Sequence, residues 1–215
     1  MSTLLSTKKL SQSQKQLLLN AGIGLVEYNA IQIEFIDFKT DHRVFKNAVI
    51  TSKNSAKAIL EKDLKIENCF CVGEKTASFL REYNFNIAEV ADYGVNLAQL
   101  IIDKYPNEDF TFFCGNERRD ELPAILRKNS VSFDEIEVYK TSLKPKIFDR
   151  EFEGVLFFSP SGVKSFVFKN KLDRSTAFCI GSTTASEAKK HTSNIVTATK
   201  PSIENVIVQA VKYLK

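Results

Sequence analysis

The sequence predicts an α/β protein: two related domains, each a parallel sheet flanked by helices, joined by a two-stranded antiparallel β-ladder. Three observations carry this. Short apolar runs of strand length alternate with segments of helical period along the whole chain, the pattern of parallel sheets covered on both faces. The segment Phe70-Cys71-Val72-Gly73-Glu74-Lys75-Thr76-Ala77-Ser78 returns as Phe178-Cys179-Ile180-Gly181-Ser182-Thr183-Thr184-Ala185-Ser186, with six of nine residues identical at an offset of 108. And 215 residues suffice for one large domain or two of about 100 residues each. The offset of 108 also aligns Asn86-Ile87 with Asn194-Ile195 and Lys104-Tyr105 with Lys212-Tyr213. Val49-Ile50-Thr51-Ser52 matches Leu156-Phe157-Phe158-Ser159 at an offset of 107. Segments this widely separated share one register only if the chain contains a duplication.

Taken in order, Leu4-Leu5-Ser6 reads as a strand. A helix follows over Gln12–Asn20, entered through Ser11 and closed by Gly22, and then a strand over Leu25–Tyr28. In the first copy, Ala48–Thr51, Asn68–Val72, Ile87–Val90 and Phe110–Phe113 are apolar strands of the kind buried on both faces. Between them, Ala56/Ile59/Leu60 and Leu97/Leu100/Ile101 recur at helical spacing. In the second copy the strands are Gly154–Phe158, Thr176–Ile180 and Ile195–Thr197, and Ile203, Val206, Ile207, Ala210, Val211 and Leu214 form one helical stripe. This copy is a strand short, and the N-terminal segment supplies the missing piece. The expected division is therefore an outer domain of 1–28 and 143–215, an inserted middle domain of 37–136, and crossing segments 29–36 and 137–142. Both crossings alternate apolar and polar residues, as Ala30-Ile31-Gln32-Ile33-Glu34 and Ile136-Glu137-Val138-Tyr139-Lys140 show, which suits an ordered antiparallel ladder.

Composition narrows the function classes. With 43% hydrophobic and 26% charged residues, 8 Gly and 5 Pro, the chain is neither disordered nor collagen-like. No stretch approaches the ~20 apolar residues of a membrane helix. Lys8, Lys9 and Lys15 interrupt the region where a signal-peptide core would lie, so a cytoplasmic protein with no membrane partner is expected. Cys69, Cys71, Cys114 and Cys179 sit in or beside apolar runs, and with only His42 and His191 in the chain no metal site is expected. Buried free thiols are the expected state, with Cys69 and Cys71 on one face of their strand. Charge is uneven: residues 41–136 carry 13 Lys+Arg against 16 Asp+Glu, the remainder 17 against 10. The basic residues are scattered and not interleaved with aromatics, which argues against nucleic acid and leaves a small polyanion or a merely solvated face.

In a doubly wound sheet, ligands bind beyond the carboxyl ends of the strands, at helix N-termini. Small and polar residues collect there: Thr51-Ser52, Gly73 and Cys114-Gly115-Asn116 in one copy, Ser159-Pro160-Ser161 and Gly181 in the other. Each Gly73-like turn opens a hydroxyl-rich helix start, with Thr76, Ala77 and Ser78 or with Ser182, Thr183, Thr184 and Ser186. Amides and hydroxyls at such starts hold carboxylates or phosphates, and they serve equally as ordinary helix caps. Neither turn is a dinucleotide or phosphate-loop motif. Arg118-Arg119 offers two guanidiniums for clamping carboxylates, or two plain surface arginines. Pro123 fits only a first helical turn, so that helix starts near Asp120 and keeps both arginines in the loop. Tyr139 lies on the second crossing strand, as a functional phenol or as an aromatic packed on the ladder.

These residues, in this order, resemble the uroporphyrinogen-III synthase family. The resemblance rests on Thr51-Ser52, Val72-Gly73-x-x-Thr76-Ala77, Cys114-Gly115-Asn116-x-x-Arg119, Val138-Tyr139-Lys140-Thr141, Phe158-Ser159-Pro160-Ser161-Gly162 and Ile180-Gly181-x-Thr183-Thr184-Ala185. It spans essentially the whole chain. One departure is Asn54-Ser55, where many members carry a small apolar residue. The resemblance implies two flavodoxin-like domains of the HemD type. It also implies a monomeric, cofactor-free and metal-free enzyme that cyclises the linear tetrapyrrole hydroxymethylbilane to uroporphyrinogen III, inverting the last ring and losing water. On this reading Tyr139 is the general acid. Thr51, Ser52, Gly73, Thr76, Ala77, Gly115, Asn116, Arg119, Ser159, Ser161, Gly181, Thr183 and Thr184 bind the substrate. The other reading is a noncatalytic two-lobed module for an anionic metabolite.

Overall fold

The computed structural model describes residues 2–40, 43–62 and 64–215. In chain order the elements are β1 (Thr3–Ser6), α1 (Gln12–Leu19), β2 (Gly24–Glu27), β3 (Ile31–Phe35), β4 (Val44–Ile50), α2 (Lys53–Leu60), β5 (Lys65–Val72), α3 (Glu74–Glu82), β6 (Ile87–Ala91) and α4 (Gly94–Lys104). They continue as β7 (Phe110–Gly115), α5 (Glu121–Lys128), β8 (Phe133–Leu143), β9 (Gly154–Phe157), α6 (Pro160–Val167), β10 (Thr176–Cys179), α7 (Ser182–Ala188), β11 (Ile195–Thr197) and α8 (Ile203–Leu214). The chain forms two compact units, one holding the chain up to Gln32 together with Ser142–Lys215, the other Ile33–Thr141. It leaves the first unit within β3 and returns to it within β8.

The first unit is built on a sheet of order β11-β10-β9-β1-β2, with every pair parallel. The N-terminal strand sits inside this sheet, pairing Leu5 with Val26 on one side and with Val155 on the other. Alternation along β1 sends Leu4 and Leu5, both fully buried, to opposite faces. Leu4 packs with Leu18, Leu156, Phe178 and Ile207, and Leu5 with Val155, Phe157 and Phe166. The Ser11 hydroxyl accepts from Gln14 N while the Gln14 side chain accepts from Ser11 N, a capping box that starts α1. Gly22, at φ +74°, turns the chain back into β2.

The second unit carries a sheet of order β3-β8-β7-β4-β5-β6, parallel from β8 to β6. β4 lies between β7 and β5, and its last four residues are buried, which is why Ala48-Val49-Ile50 reads as an apolar run. Cys69 and Cys71 share one face of β5 with Ala48 and Ile50, while Phe70 points to the other with Val49 and Phe112. The strand carrying Tyr139 is longer than its sequence pattern indicates. β8 begins at Phe133 and runs parallel to β7 from Phe110↔Phe133 to Cys114↔Glu137. The register then slips, and Gly115 faces Tyr139 instead of Val138. On the other side of β8, Ile36 N donates to Val138 O at 3.1 Å.

Candidate functional site

The carboxyl ends of β4, β5, β7 and β8 form one edge of the second unit. Ser52 follows β4 and caps α2, its hydroxyl accepting from Asn54 N at 3.1 Å. Thr51 precedes it at the strand end. Gly73 ends β5 at φ +83°, a left-handed backbone that favours glycine, and opens α3. Thr76 and Ala77 follow in the first turn of α3, both buried. Tyr139 reaches this edge from β8. Its hydroxyl donates to Ser52 Oγ at 3.2 Å, and its ring lies directly over Gly115. Residues 52, 115 and 139 are thus brought together by three different strands.

Two of the candidate residues have partners within the protein. Asn116 does not present its amide to an open edge. Its Nδ2 donates to Thr141 O at 3.3 Å and its Oδ1 accepts from Thr141 N at 2.8 Å, so the side chain extends the β7–β8 pairing. Of the two candidate clamping arginines, Arg118 is engaged by carboxylates of the protein itself. Arg118 donates from Nε to Glu135 and from Nη1 to Asp120, and Arg127 reaches the same two carboxylates. The hydrogen bond from Arg118 holds the Asp120 carboxyl below its ordinary range. The reason is tertiary: Glu135 stands on the part of β8 that pairs with β7, beside Arg118. Arg119 lies in the turn before α5, whose N-cap is Asp120.

The first unit has an equivalent edge. Ser159 caps α6, accepting from Gly162 N at 3.1 Å and pairing with Ser161 Oγ at 3.1 Å. Gly181 opens α7 at φ −176°, extended backbone that any residue adopts. The two repeated glycines therefore differ: conformation requires Gly73 but not Gly181. They agree in another respect, since a Cβ at either would meet nothing within 4 Å. Thr183 and Thr184 follow in the first turn of α7, with Thr184 buried. The capping reading thus applies to part of the set. Ser52 and Ser159 are caps, whereas the starts of α3 and α7 carry no side-chain cap at all.

Burial pushes the thiols of Cys69, Cys71 and Cys179 up to about 12 and that of Cys114 to about 11, so all four are free, buried and protonated at neutral pH. Among the described residues no group of His, Cys, Asp and Glu could hold a metal ion, and His42 lies outside them. No described helix is long and apolar enough to cross a membrane. The chemistry the arrangement offers is that of hydroxyls and amides.

The profile of the family described as uroporphyrinogen-III synthase HemD matches residues 12–207. The porphyrin biosynthesis protein HemD of Ruminiclostridium josui is 30% identical over 154 residues, 63% of this chain. The match spans 30% of that protein's own length. The crystal structure of uroporphyrinogen-III synthetase from Helicobacter pylori superposes with a TM-score of 0.74 at 20% identity, covering 99% of this chain and 100% of that one. A mutant uroporphyrinogen III synthase from Thermus thermophilus gives 0.68 at 14% identity, covering 99% and 98%.

Proposed function

Because the chain belongs to the uroporphyrinogen-III synthase family, we propose that it closes hydroxymethylbilane to uroporphyrinogen III with Tyr139 as general acid. The observation that carries this reading is the Tyr139 hydroxyl resting on Ser52 at the carboxyl edge of a parallel sheet. A positioned phenol can donate its proton to a departing hydroxyl. The terminal carbon–oxygen bond breaks, water leaves, and an azafulvene remains. The substituted carbon of the last ring adds to its exocyclic methylene; the spiro intermediate breaks that carbon's bond to the preceding bridge and recloses through the ring's other α-carbon, which inverts the ring. The proton released as the closing ring regains aromaticity restores the phenol. Ser52 Oγ already accepts from Asn54 N, so its own proton is free to turn toward the phenolate while the charge lasts. Conformational control does most of the work, since the azafulvene closes unaided to the uninverted isomer.

Substrate carboxylates are assigned to the amides and hydroxyls at both edges: Thr51, Thr76, Ala77 and Arg119 with Gly73 in one unit, Ser159, Ser161, Gly181, Thr183 and Thr184 in the other. The working division is an outer domain of 1–28 and 143–215 and an inserted one of 37–136, with 29–36 and 137–142 as the antiparallel ladder. Its support is that Ile36 N donates to Val138 O and Lys144 N to Ala30 O, pairs that advance along one strand while receding along the other. The protein acts as a monomer in the cytoplasm without metal or organic cofactor. The test is isomer analysis of the porphyrinogens formed when purified protein meets fresh hydroxymethylbilane. Uroporphyrinogen III is expected in excess over the spontaneous isomer. Only uroporphyrinogen I, at the uncatalysed rate, would leave a noncatalytic binder.

A further inference from the structure

The register slip beside Tyr139 is the feature whose purpose the reaction alone does not explain. A bulge inserts one residue and re-aims a side chain. Here the slip between Cys114 and Gly115 places Tyr139, not Val138, opposite the last residue of β7. The ring then occupies the space where a side chain at 115 would stand. A Cβ on Gly115 would lie 2.5 Å from Tyr139 Cε2, 2.8 Å from Cε1 and closer still to Cζ. Gly115 is not at a positive φ, so only the ring demands a glycine. Beyond the slip, the pairing is secured by a side chain. Asn116 N donates to Tyr139 O at 3.3 Å, and the Asn116 amide bonds both the N–H and the carbonyl of Thr141. Tyr139 is therefore held on both sides of its own residue, with its ring on a bare Cα and its hydroxyl on the serine that caps α2.

We infer that Gly115 and Asn116 are positioning residues: they aim the Tyr139 hydroxyl and do not themselves hold substrate. The inference rests on the reading of Tyr139 as the acid only for its kinetic consequence. The reason for such a device is geometric. A phenol on a strand swings through several ångströms with its rotamer, and acid assistance requires hydrogen-bond reach of the leaving oxygen.

A double-mutant cycle tests it. Tyr139→Phe is expected to lower kcat at least ~10-fold, below the full range of acid catalysis because water substitutes in part, with uroporphyrinogen III still the product. Gly115→Ala is expected to lower kcat at least ~5-fold with KM changed less than ~2-fold, and to add less than ~2-fold in the Tyr139→Phe background. Multiplying effects, or a KM rise at constant kcat, would assign Gly115 to substrate contact and overturn the inference. A second measurement stands apart from activity and covers the case in which Gly115→Ala does not fold. With ¹³Cζ-tyrosine incorporated, the protein gives signals from six tyrosines, and that of Tyr139 is the one absent from Tyr139→Phe. Asn116→Ala should shift and broaden it. Asn116→Asp, which keeps the acceptor for Thr141 N, should move it back toward wild type. A Tyr139 signal indifferent to Asn116→Ala overturns the inference. Full turnover in Tyr139→Phe instead removes Tyr139 as the acid, and the resonance alone then decides whether the two residues hold it.

Discussion

At the scale of single residues, two tyrosines differ in what their hydroxyls meet. Tyr139 is half-buried and its hydroxyl has a partner. Tyr28 follows β2 into the apolar cluster of Phe148, Phe152 and Phe166, with an edge-on contact to Phe148 at 5.1 Å. Its hydroxyl is buried without a hydrogen bond, as is that of Ser165. Burial pushes the Tyr28 phenol up to about 12, while the Ser165 hydroxyl pulls the other way without meeting it in hydrogen-bond geometry. An orphaned buried hydroxyl costs roughly 1–3 kcal/mol, so Tyr28→Phe should leave stability unchanged or raise it by about 1 kcal/mol in urea unfolding. The pH sign follows from the shift. A phenol whose folded pKa lies above its unfolded value contributes stability that is complete below about 10 and lost as pH rises toward about 12. Tyr28→Phe should therefore blunt the alkaline loss between those values. A variant that melts well below wild type at pH 7 would show that the hydroxyl has a partner after all.

At the scale of elements, the Gly-x-x-Thr-Ala helix starts are where packing and binding compete. Thr76 and Thr184 are 6% and 3% exposed, so neither site has room for a bulky replacement, and such a change would unfold the helix start before it tested binding. Thr184→Val keeps the volume and removes only the hydroxyl. If that hydroxyl meets a substrate carboxylate, its loss is worth roughly 1.5–3 kcal/mol, a rise in KM of about 10- to 150-fold, with the melting temperature nearly unchanged. A lowered melting temperature with KM intact would make it a structural group. The contrast between what the sequence discloses and what it hides lies at this scale too. Strands buried on both faces, such as β9, announce themselves as apolar runs, and Ser11, Ser52 and Ser159 mark helix starts by residue type alone. The first half of β8 does not, because Asp134, Glu135 and Glu137 interrupt it, and it is a strand only because β7 pairs with it. The clasp of Asn116 on Thr141 and the seat of Tyr139 on Gly115 join residues 24 or 25 apart through a one-residue slip. No local pattern encodes such a slip. Arg118 is captured by Glu135 for the same tertiary reason.

At the scale of the whole molecule, the duplication gives each unit the same kind of edge, with a serine-capped helix beside an uncapped one. The charge is not duplicated. Residues 41–136 carry a balance of −3 and the remainder +7. If the substrate is the proposed tetrapyrrole, whose four rings each bear an acetate and a propionate, long-range attraction favours the basic segments and the acidic unit relies on local amides and hydroxyls. If one tetrapyrrole engages both edges, bound product should slow amide hydrogen exchange in both units together. Under anaerobic conditions with uroporphyrinogen III, peptides spanning 73–80 and 181–188 should both gain protection, as should those carrying Ser52 and Ser159. The C-terminal half of α8, residues 208–214, is away from the serine caps and the glycine turns, serves as the internal reference and should exchange as before. Protection confined to the 181–188 side would mean that the basic unit binds the product alone. The acidic unit would then act on the substrate only through Tyr139. Protection on both sides would mean that ring inversion is enforced by two separate sets of carboxylate contacts, each from one copy of the repeat.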